Sequence, residues 1–182
     1  MSDAPTVPPP PHGGDALLSV ARAVTAVSRS AFGIAKWGVW AIAALMLYEV
    51  VLRYAAASPT SWAPELATLI FGPYFLLGGP YLLHMGGHVA VDILSERANG
   101  GLARALEVVA ALLALAFGGI LLWFAAPLAW QSYQWGETSY SAWRPVLWPS
   151  KAVLPVAAAL LMAQALAEAV FALARARGDG TA

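Results

Sequence analysis

The chain has 182 residues with ten basic and ten acidic side chains, no cysteine, 60% hydrophobic residues and a mean hydropathy of +0.67. A soluble domain of this length could not solvate itself with 11% charged residues, so the composition favours an all-α integral membrane protein over a globular enzyme. A formal charge of zero gives no footing for nucleic acid, and the lack of cysteine excludes disulfides, thiol catalysis and cysteine-ligated metals.

Residues 1–15, MSDAPTVPPPPHGGD, are rich in proline, glycine and acid, and read as a disordered tail without the basic start of a secretory signal peptide. Residues 16–178 read as one four-helix membrane domain, and 179–182 as a second short tail. From Ala16 to Ser30, apolar positions alternate at helical spacing with Ser19, Arg22, Ser28 and Arg29. Two arrangements fit: an amphipathic helix on the membrane surface, or the wet start of a longer first helix.

The first span is expected at about 31–54, with Lys36 near enough to its start to snorkel and Trp37 and Trp40 as interfacial anchors. Glu49 and Arg53 lie one turn apart near its far end, in the favourable acid-before-base order. A lone charge at the bilayer centre costs roughly 2.5 to 3.5 kcal/mol, so pairing near the headgroups is the cheaper arrangement. An interfacial ion pair and a contact to a partner subunit both meet that need.

The second span, about 64–84, follows Ser61 and Trp62 and carries Pro64 and Glu65 in its first turn. Proline is tolerated there because its missing N–H would be unpaired anyway, and Glu65 complements the positive end of the helix dipole. Pro73 and Pro80 are expected to kink this helix, and Gly72, Gly78 and Gly79 to allow close helix approach. His84, His88 and Asp92 recur every four residues, the spacing of metal ligands on a helix, but Gly86 and Gly87 interrupt it. A turn in which His88 and Asp92 bond each other or the backbone is the expected outcome, with no metal and no other cofactor.

The third span is expected at about 106–130 and the fourth at about 150–174, the latter requiring that Glu168 be held by a partner or lie near headgroups. The connection read from Pro127 to Ser150 carries Trp130, Tyr133, Trp135, Tyr140, Trp143 and Trp148, an interfacial aromatic belt. Basic residues number seven on one side (Arg22, Arg29, Lys36, Arg97, Arg104, Arg175, Arg177) and three on the other (Arg53, Arg144, Lys151). The positive-inside rule then puts both termini and the His88 loop in the cytoplasm and the aromatic loop outside. Gln164 and Trp123 are the notable polar-capable side chains at mid-span, and both suit helix packing. There is no Ser-His-Asp pattern, phosphate loop or dinucleotide fingerprint, so no enzyme is expected.

The stretches EVVLRY, SWAPELATLIFGPYFLLGGPYLLHMGGHVAVDIL, GETSYSAWRPVLWPSKAVLP and AQALAE resemble the small membrane subunit of tripartite ATP-independent periplasmic (TRAP) transporters, the DctQ type, and most of all its mannitol/chloroaromatic branch. The likeness covers about Lys36 to Ala174 and departs from the common pattern at Pro64 and His84. It implies a multi-pass protein of the bacterial inner membrane that binds lipid, a large DctM-type subunit holding the substrate and sodium sites, and a periplasmic solute-binding protein that delivers an organic acid or related solute. In that setting Trp143, Arg144 and Lys151 are candidates for docking the binding protein, although Arg144 and Lys151 equally suit lipid headgroups. Glu49, Arg53, Trp62, Glu65, His88 and Asp92 are candidates for assembly. A homo-oligomeric channel and a membrane anchor subunit of another complex are the competing classes; a channel would need a polar stripe down one helix.

Overall fold

The computed structural model describes residues 13–85 and 100–178. Five helices account for nearly all of them: α1 (Gly13–Ala35), α2 (Trp37–Ala55), α3 (Trp62–His84), α4 (Gly100–Gln134) and α5 (Trp148–Gly178). Four helical stretches are long and apolar enough to cross a membrane: Ala16–Ala55, Trp62–His84, Val108–Gln134 and Trp148–Ala174. The all-α architecture with four spans agrees with the sequence reading.

The packing is the reverse of a soluble core. Alanines make up the buried apolar positions, among them Ala63, Ala67, Ala125, Ala157, Ala158 and Ala165, while Phe75, Phe117, Trp123, Phe124 and Leu113 point outward. Small residues let helix backbones approach, and large apolar side chains meet a surrounding solvent that is itself apolar. Gly38 rests on Tyr74, and Gly118 lies so close to Met162 that a Cβ there would sit 2.7 Å from its Cγ. The α4–α5 pair depends on that approach.

A single residue, Lys36, separates α1 from α2, and its N–H still bonds to the Phe32 carbonyl at 2.9 Å. The N-terminal segment is therefore helical and runs on into the first span. Its packing changes along its length: the Phe32 ring packs tilted against Tyr81 of α3 at 5.1 Å, whereas Thr25 receives a hydrogen bond from Gln164 of α5. The α2–α3 pair is antiparallel, as Tyr48 against Trp62 and Gly38 against Tyr74 define.

The fourth element boundary differs from the sequence expectation. Pro127 lies inside α4, which continues to Gln134. A spanning helix tolerates an internal proline where neighbours re-satisfy the backbone. The stop comes instead at Gly136, whose φ of +57° suits a residue without a Cβ. There Glu137 N–H bonds to Ser132 O and Gly136 N–H to Tyr133 O, the paired bonds of a glycine-terminated helix end. The connecting loop is thus 135–147.

Candidate functional site

The polar chemistry collects at the two ends of the bundle, here named by the first and last residues of α3. At the Trp62 end, Glu49 binds two partners. One carboxylate oxygen pairs with Arg53 of the same helix; the other accepts hydrogen bonds from Thr60 N–H at 3.0 Å and Thr60 Oγ1 at 2.5 Å. Glu49 is 4% exposed, so the carboxylate is closed off by its neighbours and joins the end of α2 to the turn leading into α3. The ion pair expected from sequence exists, and Thr60 extends it. Trp62 packs at a tilt against Tyr48, 5.8 Å between ring centroids, beside it.

Glu65 sits in the first turn of α3 as the dipole argument requires. It also accepts a hydrogen bond of 2.5 Å from Ser141 Oγ, and Ser141 Oγ in turn accepts the Arg144 N–H at 3.1 Å. The loop is held at a second place by Lys151 Nζ, which donates to Glu137 Oε2 at 2.5 Å. That ammonium holds the Glu137 carboxyl below the usual carboxylate range. A short bridge between Thr138 and Val146 closes the loop on itself, with Ser139 N–H to Pro145 O at 2.9 Å and Leu147 N–H to Glu137 O at 2.9 Å. Ser150 Oγ donates to the Leu69 carbonyl at 3.2 Å and fixes the start of α5 against α3.

These ties shape a rigid surface. Tyr140 is fully exposed, Trp143 is 41% exposed, and Arg144 adopts a φ of +51°, a left-handed conformation that an arginine leaves readily unless its neighbours hold it. Of the three candidate docking residues, Trp143 and Arg144 lie on the free side of this loop. Lys151 pairs with Glu137 and so also ties the loop to the start of α5. Trp130, Tyr133 and Trp148 form one aromatic chain beneath it, with ring separations of 5.8 and 5.4 Å.

At the other end, His84 Nδ1 lies 2.6 Å from Glu168 Oε1. Gln164 Nε2 donates to the same oxygen at 2.8 Å and to Thr25 Oγ1 at 3.1 Å. Three helices, α1, α3 and α5, are thereby joined through one polar chain. Gln164, read from sequence as mid-span, lies toward the His84 end; it is fully buried, joins α5 to α1 and gives Glu168 a partner. His88 and Asp92 lie outside the described residues. Among the described residues no group of three or more His, Cys, Asp or Glu is placed to hold a metal.

Sequence reasoning missed Thr60, Ser141, Glu137, Thr25 and the use of His84. Each acts on a residue 11 to 139 positions away, and no local pattern announces such a pair.

Residues 42–175 match the family described as "Tripartite ATP-independent periplasmic transporters, DctQ component". The chain is also 39% identical over 109 residues to a protein of Sinorhizobium fredii (strain NBRC 101917 / NGR234) described as "Uncharacterized protein y4mM". That alignment spans 59% of this chain and 19% of the relative's length. With the match running from the middle of the first span to the end of the last, through every polar tie at the Trp62 end, the chain belongs to the DctQ family of small TRAP transporter components.

Proposed function

We propose that this chain is the scaffolding and docking subunit of a sodium-driven uptake system for an organic acid or related solute. Its helices anchor a large DctM-type transport subunit, and its 135–147 loop receives a loaded solute-binding protein. The observation that carries the reading is the placement of polar groups. Among the described residues, carboxylates and cations with partners sit toward the two ends of the bundle or in the 135–147 loop and are engaged in tying helices and loop together. A protein that coupled an ion to a polar solute would need such groups free at mid-depth. The exposed apolar side chains on α2, α3 and α4 suit contact with lipid and with a larger membrane partner.

The seven-to-three distribution of basic residues supports an inner-membrane orientation with both termini and the His84 end cytoplasmic and the Trp62 end periplasmic. Arg144 then faces the compartment in which a binding protein travels, on a loop whose shape does not depend on its guanidinium. A positive charge there favours encounter with an acidic surface and affects association rate more than assembly. The test is Arg144→Glu: solute uptake should slow while co-purification with the large subunit persists. Unchanged uptake would remove the docking role.

A further inference from the structure

Helix α1, together with Lys36 just after it, carries three parallel stripes, each repeating every seven residues. Ala21, Ser28 and Ala35 are buried, at 3, 0 and 7% exposure. One position earlier, Val20, Val27 and Ile34 are exposed apolar residues; one position later, Arg22, Arg29 and Lys36 are exposed cations. At 3.6 residues per turn the apolar and basic stripes lie about 200° apart around the axis, so they face opposite ways on either side of the packed face. Among the described residues none of the three cations has an acidic partner; Lys36 Nζ instead lies over the Trp37 ring, 5.9 Å from its centroid.

The register of the helix pair fixes where this ridge lies along the bundle. Tyr48 meets Trp62, Gly38 meets Tyr74 and Phe32 meets Tyr81, so three residues further back Arg29 comes level with His84, where α3 ends. With a rise of 1.5 Å per residue, Arg22 lies about 10 Å beyond that level and Lys36 about 10 Å within it, where its four-carbon stem can carry the ammonium outward. The ridge straddles the end of a membrane span, which is the level of lipid headgroups.

We propose that the Arg22–Arg29–Lys36 ridge binds the headgroups of anionic phospholipids. Arginine presents a planar fork that matches phosphate oxygens in two parallel hydrogen bonds, and among the described residues no carboxylate is paired with Arg22 or Arg29. The inference uses only residence in a membrane, so it stands or falls apart from the docking reading.

The test is quenching of intrinsic tryptophan fluorescence by brominated lipid, with the full chain reconstituted in vesicles; Trp37 and Trp40 stand at the end of the ridge. Brominated phosphatidylglycerol should compete into the shell around the wild-type protein more strongly than brominated phosphatidylcholine. The preference should fall about fivefold for each cation removed, approaching parity in Arg22→Gln/Arg29→Gln/Lys36→Gln. Arg22→Lys/Arg29→Lys should retain it, and raising salt should weaken it in the wild type. If the triple variant loses helicity, Arg29→Gln alone and the salt series decide, since a preference that responds to neither overturns the proposal. A wild type with no preference overturns it too. Should that result accompany loss of a membrane protein partner from the triple variant, the ridge is a protein-binding surface instead.

Discussion

Ser141 and Glu65 lie 76 positions apart in the chain, yet the serine hydroxyl donates to the glutamate carboxylate at 2.5 Å. This bond fastens the loop between α4 and α5 to the first turn of α3. Glu65→Ala should free it at a cost of about 1 to 2 kcal/mol, less than a fully buried charge-assisted bond because the pair is only half-buried. Amide hydrogen exchange over 137–147 should accelerate, while Glu65→Gln, which keeps an acceptor, should lie between the two. Exchange unaffected by Glu65→Ala would remove this role.

The second tie predicts a pH response. Because Lys151 holds the Glu137 carboxyl below its ordinary value of 4.5, the pair's contribution is fully present above about pH 4.5 and is lost as pH falls through the lower folded value. Loop exchange protection should therefore be flat from neutral down to mild acid and drop only in stronger acid. Lys151→Gln should lower protection already at neutral pH and remove most of that drop, and amide exchange as a function of pH in both proteins checks it.

Gly118 packs where a methyl group would meet Met162 Cγ at 2.7 Å and the Ala158 carbonyl at 3.4 Å. Gly118→Ala should destabilise the α4–α5 contact by about 1 to 3 kcal/mol through overpacking, outweighing the better helix propensity of alanine. Met162→Ala in the same chain should recover most of the loss. Thermal unfolding in detergent reads both, and a Gly118→Ala variant as stable as wild type would contradict the close approach.

At the opposite end, Gln164→Leu should loosen the junction of α1 with α5 by about 0.6 to 2 kcal/mol, the range of interhelical hydrogen bonds in membranes. The effects of Gln164→Leu and His84→Phe should be non-additive, because both side chains converge on Glu168 Oε1. A double-mutant cycle by thermal unfolding measures that coupling, and strict additivity would show that the chain of bonds does not act as a unit.

The helices were legible in the sequence because lipid imposes a simple rule: long charge-free runs must be helical to satisfy their own backbone. Their ends were less so. Pro127 signals a break in water but not where neighbouring helices support it, and Gly136, the residue that ends α4, is one glycine among 16. Glu49 with Arg53 could be read because the partners are four residues apart. Glu65 with Ser141, Lys151 with Glu137 and His84 with Glu168 could not, since each pair forms only when helices or loop are already packed. Spacing alone groups His84 with His88, whereas packing brings the His84 ring to Glu168 of α5.

In the proposed function this chain anchors and receives, and carries no solute of its own. Its most direct test is solute uptake into proteoliposomes containing the purified chain alone, the large subunit alone, or both, each with the loaded binding protein outside. Uptake requiring both membrane components is the predicted result; uptake by this chain alone would contradict it.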